Sequence, residues 1–140
     1  MEPQLREELL KLFQSKLTRP MLMYLETCAR CGICTPACHA YASMPLPKYA
    51  PAYRAEVVRR IFNTYYKWKG SVFPFLTERK VLDETSLEEL KEAAYSCTGC
   101  RRCMVYCPFG IDTQQIMSIA KLLLIGAKTE PELLSMLADV

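Results

Sequence analysis

Only one histidine, His39, and five glycines occur among the 140 residues, and both shortages exclude chemistry. A single imidazole with no partnering Ser and Asp pattern leaves no triad for nucleophilic catalysis. The glycines nowhere form G-x-G-x-x-G, so no phosphate-cradling loop for flavin or nicotinamide is present. Long hydrophobic runs are missing too. The most apolar stretch, residues 116–125, is ten residues long and contains Lys121, well short of the roughly twenty that span a bilayer. The first residues, Met1-Glu2-Pro3-Gln4, do not read as a basic-then-apolar leader. Strand patterning is absent except for residues 72–76, and Pro74 within them argues against a central strand.

What the chain does have is eight cysteines in two copies of one spacing. Cys28, Cys31, Cys34 and Cys38 read C-x2-C-x2-C-x3-C, and so do Cys97, Cys100, Cys103 and Cys107, with Pro108 directly after. That run is the bacterial four-iron signature, and no cysteine is left over. Residues three apart return to the same side of a short turn, so three thiolates can wrap three corners of one cube. The fourth is carried past it and, in two-cluster proteins, ligates the other cube. The expectation is therefore two [4Fe–4S] clusters with crossed ligation. Cys28, Cys31, Cys34 and Cys107 hold the first; Cys97, Cys100, Cys103 and Cys38 hold the second.

Structural zinc normally uses two C-x2-C knuckles a dozen or more residues apart, and here the third cysteine follows after only two. A disulfide framework belongs to small secreted chains with a leader. Net charge points the same way. The chain carries +3, while each oxidised cube with its thiolates brings about −2. The basic excess then reads as compensation for anionic clusters, with Arg30, Arg101 and Arg102 inside the motifs, and no nucleic-acid partner is implied. Thiolates that stay available to iron imply a reducing, cytoplasmic setting, with any membrane association made through a partner.

Around the cysteines the pattern is helical, and the fold class is all-α. Residues 1–140 form one domain, with an N-terminal helix in 1–19 and a C-terminal helix in 128–140 suited to docking. Pro3 opens a helix whose Leu5, Leu9, Leu12, Phe13 and Leu17 make one stripe. Pro20 opens a second, over 21–26. Pro51 starts a third that turns Val57, Val58, Ile61, Phe62, Tyr65 and Trp68 inward and leaves Arg54, Arg59, Arg60 and Lys67 exposed, stopping at Gly70. A loop over 71–85 follows. Ser86 and Glu89 form a capping box for a helix to Tyr95, Asp112 caps another, and Thr129 with Glu132 caps a last one ending near Leu137. Ile33 and Tyr41 around the first motif, and Val105, Tyr106, Phe109 and Ile111 around the second, are expected to keep water from the cubes.

These motifs, with Leu25-Glu26-Thr27-Cys28-Ala29-Arg30-Cys31-Gly32-Ile33-Cys34 and Tyr49-Ala50-Pro51-Ala52-Tyr53-Arg54, resemble the α-helical ferredoxin family, in particular its heterodisulfide reductase C-subunit type, and the N-terminal part of iron–sulfur subunits of sulfate-reducer membrane complexes. The resemblance, over about residues 18–127, implies an electron-transfer subunit between a flavin-containing donor and a cysteine-rich or quinone-linked acceptor. It implies no active site of its own: in such complexes disulfide reduction uses adjacent cysteines, and none occur here. Members often have proline after the fourth cysteine of the first motif, where this chain has His39, with Pro36 moved inside. His39 is expected beside a cluster sulfur rather than on iron. A free diffusible ferredoxin-like carrier and a zinc-stabilised interaction module remain alternatives.

Overall fold

A computed structural model of the chain describes residues 1–66, 80–133 and 136. Among these it is helical, with no strand: α1 (Pro3–Lys16), α2 (Arg19–Thr27), α3 (His39–Ser43), a 3-10 turn (Pro47–Tyr49), α4 (Pro51–Tyr65), α5 (Glu84–Tyr95), α6 (Arg102–Tyr106) and α7 (Thr113–Gly126). The expected helix end at Trp68 and Gly70, the strand candidate 72–76 and the final helix end near Leu137 lie outside the described residues. Proline sits in the first turn of α1, α2 and α4, where its missing N–H is one the helix start leaves unpaired anyway.

The hub is α7, which packs against α5, α4, α1 and α2. Its Ile116, Met117, Ala120, Leu123 and Leu124 are fully buried, against Phe13 of α1, Leu25 of α2, Ile61 of α4 and Leu90 of α5 in one continuous core. Each such large side chain contributes about 1.5–3 kcal/mol of burial. The approach of α1 to the last turn of α7 is close: a Cβ on Gly126 would lie 3.0 Å from Leu9 Cδ2 and 3.2 Å from Leu12 Cδ2. Asp112 caps α7, accepting from the N–H groups of Gln114 at 3.0 Å and Gln115 at 3.3 Å. The far end closes as a Schellman turn, with Thr129 N–H to Leu124 O and Lys128 N–H to Ile125 O, each 3.0 Å. Lys128 takes the left-handed position there, at φ 53°.

Three local expectations are corrected. Ser86 is the third helical residue of α5 rather than its cap: Asp83 is the cap, accepting from Ser86 N–H at 2.8 Å while Asp83 N–H donates to Ser86 Oγ at 2.7 Å. Glu89 is thereby free of capping and instead joins Tyr53, Arg60 and Lys80. The Thr129 hydroxyl turns back to donate to Leu124 O at 3.3 Å, and the chain is next helical from Glu132, later than a cap at Thr129 would start it. Finally, α4 is enclosed on nearly every side, so Arg54 and Arg59, expected outside, are only 2% and 5% exposed. Arg59 donates to Leu25 O at 2.6 Å and pairs with Glu56, which Arg30 of the first motif approaches at 2.8 Å as an ion pair. That trio, buried at Glu56 and Arg59 and half open at Arg30, joins the end of α2 and the first cysteine loop to α4.

Candidate metal centre

The two cysteine runs fold as one backbone shape used twice. In each, the third and fifth residues are left-handed: Arg30 (φ 56°) and Gly32 (φ 77°) in the first, Gly99 (φ 75°) and Arg101 (φ 59°) in the second. Glycine adopts this region freely, whereas an arginine there costs about 1–2 kcal/mol. Each run therefore relieves one of its two positions with glycine, and at opposite places. Turn hydrogen bonds repeat as well. Thr35 N–H to Gly32 O (2.8 Å) matches Met104 N–H to Arg101 O (3.0 Å), and Cys38 N–H to Thr35 O matches Cys107 N–H to Met104 O, both 3.1 Å. Left-handed residues spaced this closely turn the backbone sharply, the kind of turn in which N–H groups form a concavity that suits anions and iron–sulfur groups. The backbones part where Pro36, with no N–H, replaces Val105: the second run closes as helix α6 and the first as plain turns.

The structure brings the cysteines together in two sets of four. A cavity of about 360 Å³, its open mouth included, is lined by Cys97, Cys100 and Cys103 of the second run and Cys38 of the first, with His39, Arg54, Arg101, Thr113 and Gln114. A second, of about 280 Å³, is lined by Cys28, Cys31 and Cys34 with Cys107, together with Arg30, Ala52, Phe109 and Ile111. Each opens beside its middle cysteine, since Cys31 and Cys100 are exposed while Cys38 is buried. The two sets are neighbours. Burial pushes the Cys34 thiol up to about 11, and the nearby Cys103 and Cys107 add to the rise.

Electrostatics separates the sets. Burial would also raise Cys38, but the Tyr41 N–H, the Arg54 charge and hydrogen bond, and the Ala40 N–H together hold it below the ordinary thiol value. Arg54 Nη2 lies 3.5 Å from Cys38 Sγ and donates to Tyr49 O at 2.6 Å. Cys103 is raised by burial, against which the Thr113 hydroxyl donates to its sulfur. His39, in the first run, sits beside the second: Nδ1 is 3.9 Å from Cys100 Sγ and Nε2 is 3.3 Å from Thr98 Oγ1. Arg101 pairs with Asp112 at 3.1 Å.

The expected apolar shield is corrected. Ile111 is buried, but Ile33, Val105, Tyr106 and Phe109 are all more than half open or close to it, Val105 at 82%. Phe109 and Ile111 also line the cavity of the first run's three cysteines, not that of the run they follow. Arg54 and Thr113 were not singled out from the sequence. A signal existed for Arg54 but not for Thr113: no acidic residue lies between Glu26 and Glu56 or between Glu92 and Asp112, so every charge within either cysteine region is positive.

Both cavities suit a four-iron cube. Each offers four thiols, inward N–H groups and cationic or hydroxyl donors, the set that a dianionic thiolate cluster needs. Among the described residues no three His, Cys, Asp or Glu side chains converge on a point that would hold a single ion. Tetrahedral zinc, with Zn–S about 2.3 Å, draws its sulfurs to within about 4 Å of one another, whereas here the thiols line a cavity. Fold and cavities together define a helical two-cluster iron–sulfur protein. The chain belongs to the 4Fe-4S dicluster domain family, whose profile matches residues 24–111, and it carries two [4Fe–4S] clusters.

Named relatives agree. The chain is 38% identical over 99 residues to an Hdr-like menaquinol oxidoreductase iron-sulfur subunit 2 of Archaeoglobus fulgidus, covering 71% of the chain and 18% of the relative. It is 34% identical over 121 residues to the corresponding iron-sulfur subunit of Archaeoglobus profundus, covering 85% and 22%. It is 36% identical over 101 residues to the D subunit of the dihydromethanophenazine:CoB--CoM heterodisulfide reductase of Methanosarcina mazei, covering 71% and 24%. The chain thus spans about a fifth of the length of the curated relatives it matches. No solved structure matches it. Among the described residues no helix is long and apolar enough to cross a membrane.

Proposed function

We propose that the chain relays single electrons within a heterodisulfide reductase-like oxidoreductase complex, between a flavin-containing donor and a cysteine-rich or quinone-linked acceptor. Cys28, Cys31, Cys34 and Cys107 hold one cluster, and Cys97, Cys100, Cys103 and Cys38 the other. The observation that carries this reading is the pair of neighbouring four-thiol cavities, each drawing its fourth cysteine from the opposite run. When bound, each cluster takes up and returns one electron. The chain's own residues hold the thiolates, enclose Cys38 and supply N–H groups to the sulfurs. Any membrane association is made by a partner, and the working compartment is reducing and cytoplasmic. The exposed Phe109, which lines the first set's cavity, with exposed Ile33 and Tyr106 next in sequence to Cys34 and Cys107, favours a docked subunit over a freely diffusing carrier.

Iron and acid-labile sulfide on anaerobically purified protein test the cluster count, with about eight of each per chain expected. Paired serine substitutions test the wiring. Cys31→Ser/Cys107→Ser should remove about four irons and Cys31→Ser/Cys38→Ser about eight. Uncrossed ligation gives the reverse. Size-exclusion chromatography of native extract tests the complex: co-migration with a protein showing flavin absorption supports it, and migration as a lone chain leaves the free carrier.

A further inference from the structure

Among the charged side chains that line the two cavities, Arg54 is the one that is both buried and without a carboxylate partner. Its guanidinium is a planar cation with five donors and no acceptor. The Nη2 atom meets Tyr49 O and Cys38 Sγ, and Nε, also enclosed, has no partner among the described residues. A buried cation with nothing opposite costs several kcal/mol, so a fold that keeps one encloses an anion beside it. The cavity it lines, with Cys38, Cys97, Cys100 and Cys103, is where that anion belongs.

The other cavity is built differently. Its one charged lining residue, Arg30, is 49% exposed and already paired with Glu56 at 2.8 Å. Arg59, which shares Glu56, does not line it. Side-chain donors follow the same division. Thr113 donates to Cys103 and His39 sits beside Cys100, whereas the described lining of the other cavity holds no hydroxyl or imidazole. Positive charge and donors to sulfur stabilise the reduced, more negative state of an iron–sulfur cluster.

We propose that Arg54 is the buried counter-cation of the cluster held by Cys38, Cys97, Cys100 and Cys103, and that it makes this cluster the more readily reduced of the two. The inference rests on the ligand sets proposed above. It gives the relay a downhill direction. One electron leaves the Cys28, Cys31, Cys34, Cys107 side, which is oxidised by one, and arrives on the Arg54 side, which is reduced by one. No proton moves and no bond is made or broken. Arg54 answers the single negative charge gained.

The test is an EPR-monitored redox titration of the cluster-loaded full chain. Wild type should give two one-electron midpoints. In Arg54→Gln the more positive one should fall and the other stay, shifting the electron partition between the clusters by about tenfold or more, equivalent to about 59 mV or more. Arg54→Lys, which keeps the charge, should preserve the gap. An unchanged gap in Arg54→Gln with eight irons retained, movement of the lower midpoint instead, or an Arg54→Lys gap as narrow as that of Arg54→Gln each overturns the proposal. Should Arg54→Gln lose iron, Arg54→Lys decides alone: a preserved gap supports the counter-cation and a narrowed one overturns it. A wild-type chain without two reversible midpoints removes the two-cluster reading itself, an outcome distinct from an unmoved gap.

Discussion

The Glu56 trio makes a stability prediction whose size follows from burial. Glu56 and Arg59 are each 5% exposed, and the carboxylate also faces Arg30, whose side chain is half in solvent. Glu56→Leu would leave Arg59 as a buried cation answered only by Leu25 O at 2.6 Å. Removing one partner of such a pair costs about 3–5 kcal/mol; because the Leu25 hydrogen bond survives, the lower end applies, about 3 kcal/mol. With about 2.1 cal/mol/K of unfolding entropy per residue, a 140-residue chain loses about 10 °C in Tm. Arg59→Met in the same background removes the orphaned charge, so Glu56→Leu/Arg59→Met should recover to within about 1 kcal/mol of wild type. Thermal unfolding of the cluster-loaded protein, followed by circular dichroism under argon, reads all three variants. A Glu56→Leu loss below about 3 °C, or a double variant no more stable than the single, would refute the claim that Glu56 and Arg59 form a buried charge pair.

Other expectations concern single positions. Lys128 holds the left-handed residue of the α7 terminus, so Lys128→Gly should raise stability by about 0.5–1 kcal/mol after glycine's extra unfolded-state entropy is subtracted; an unchanged Tm contradicts it. His39→Ala should lower one midpoint potential, the same one that Arg54→Gln moves, because both side chains line one cavity; unchanged potentials remove His39 from the mechanism. Chelating the iron should leave Arg54 without its anion, and deuterium uptake should rise first in residues 28–38 and 97–107, while the core amides of α7 stay protected; uniform loss of protection would mean the helical core depends on the clusters throughout.

Most of this architecture is legible in residue spacing. The cysteine repeat announces the cofactors, and Asp112 followed by Ile116, Ile119, Ala120 and Leu123 announces a capped helix with one buried face. What escapes is whatever depends on surroundings that a helical period does not encode. An arginine in an amphipathic pattern reads as solvent-facing, but α4 has neighbours on nearly every side and its arginines answer groups off the helix or one turn away: Leu25 O and Glu56 for Arg59, a thiolate site for Arg54. Capping is ambiguous for a related reason. Asp83 and Ser86 both qualify as caps, and the reciprocal pair forms with the earlier residue because Ser86 also reaches Val81 O at 2.9 Å. The apolar residues in and beside the runs look like a water shield, but Val105 and Tyr106 are largely exposed because α6 is one short turn, and Ile33 and Phe109 lie exposed outside any helix.

The deeper regularity is an identical backbone answer to an identical problem, reached with different residues. Both runs must turn N–H groups toward an anion, and both need left-handed backbone at their third and fifth positions. One run places its glycine at the fifth position and the other at the third, leaving Arg30 and Arg101 in the strained places. A strained arginine is tolerable where its charge is wanted and a partner holds it: Glu56 holds Arg30, and Asp112 with Gln114 holds Arg101. Arg30 and Arg101 are thus backbone hinges whose charge is largely answered by protein, while Arg102 is exposed in α6. The cation left over for a cluster comes from outside the motifs, from the buried first turns of α4, and it comes to one site only. Two nearly identical cradles become electrically unequal through a helix that neither cysteine run contains, and that inequality is what turns a pair of clusters into a relay with a direction.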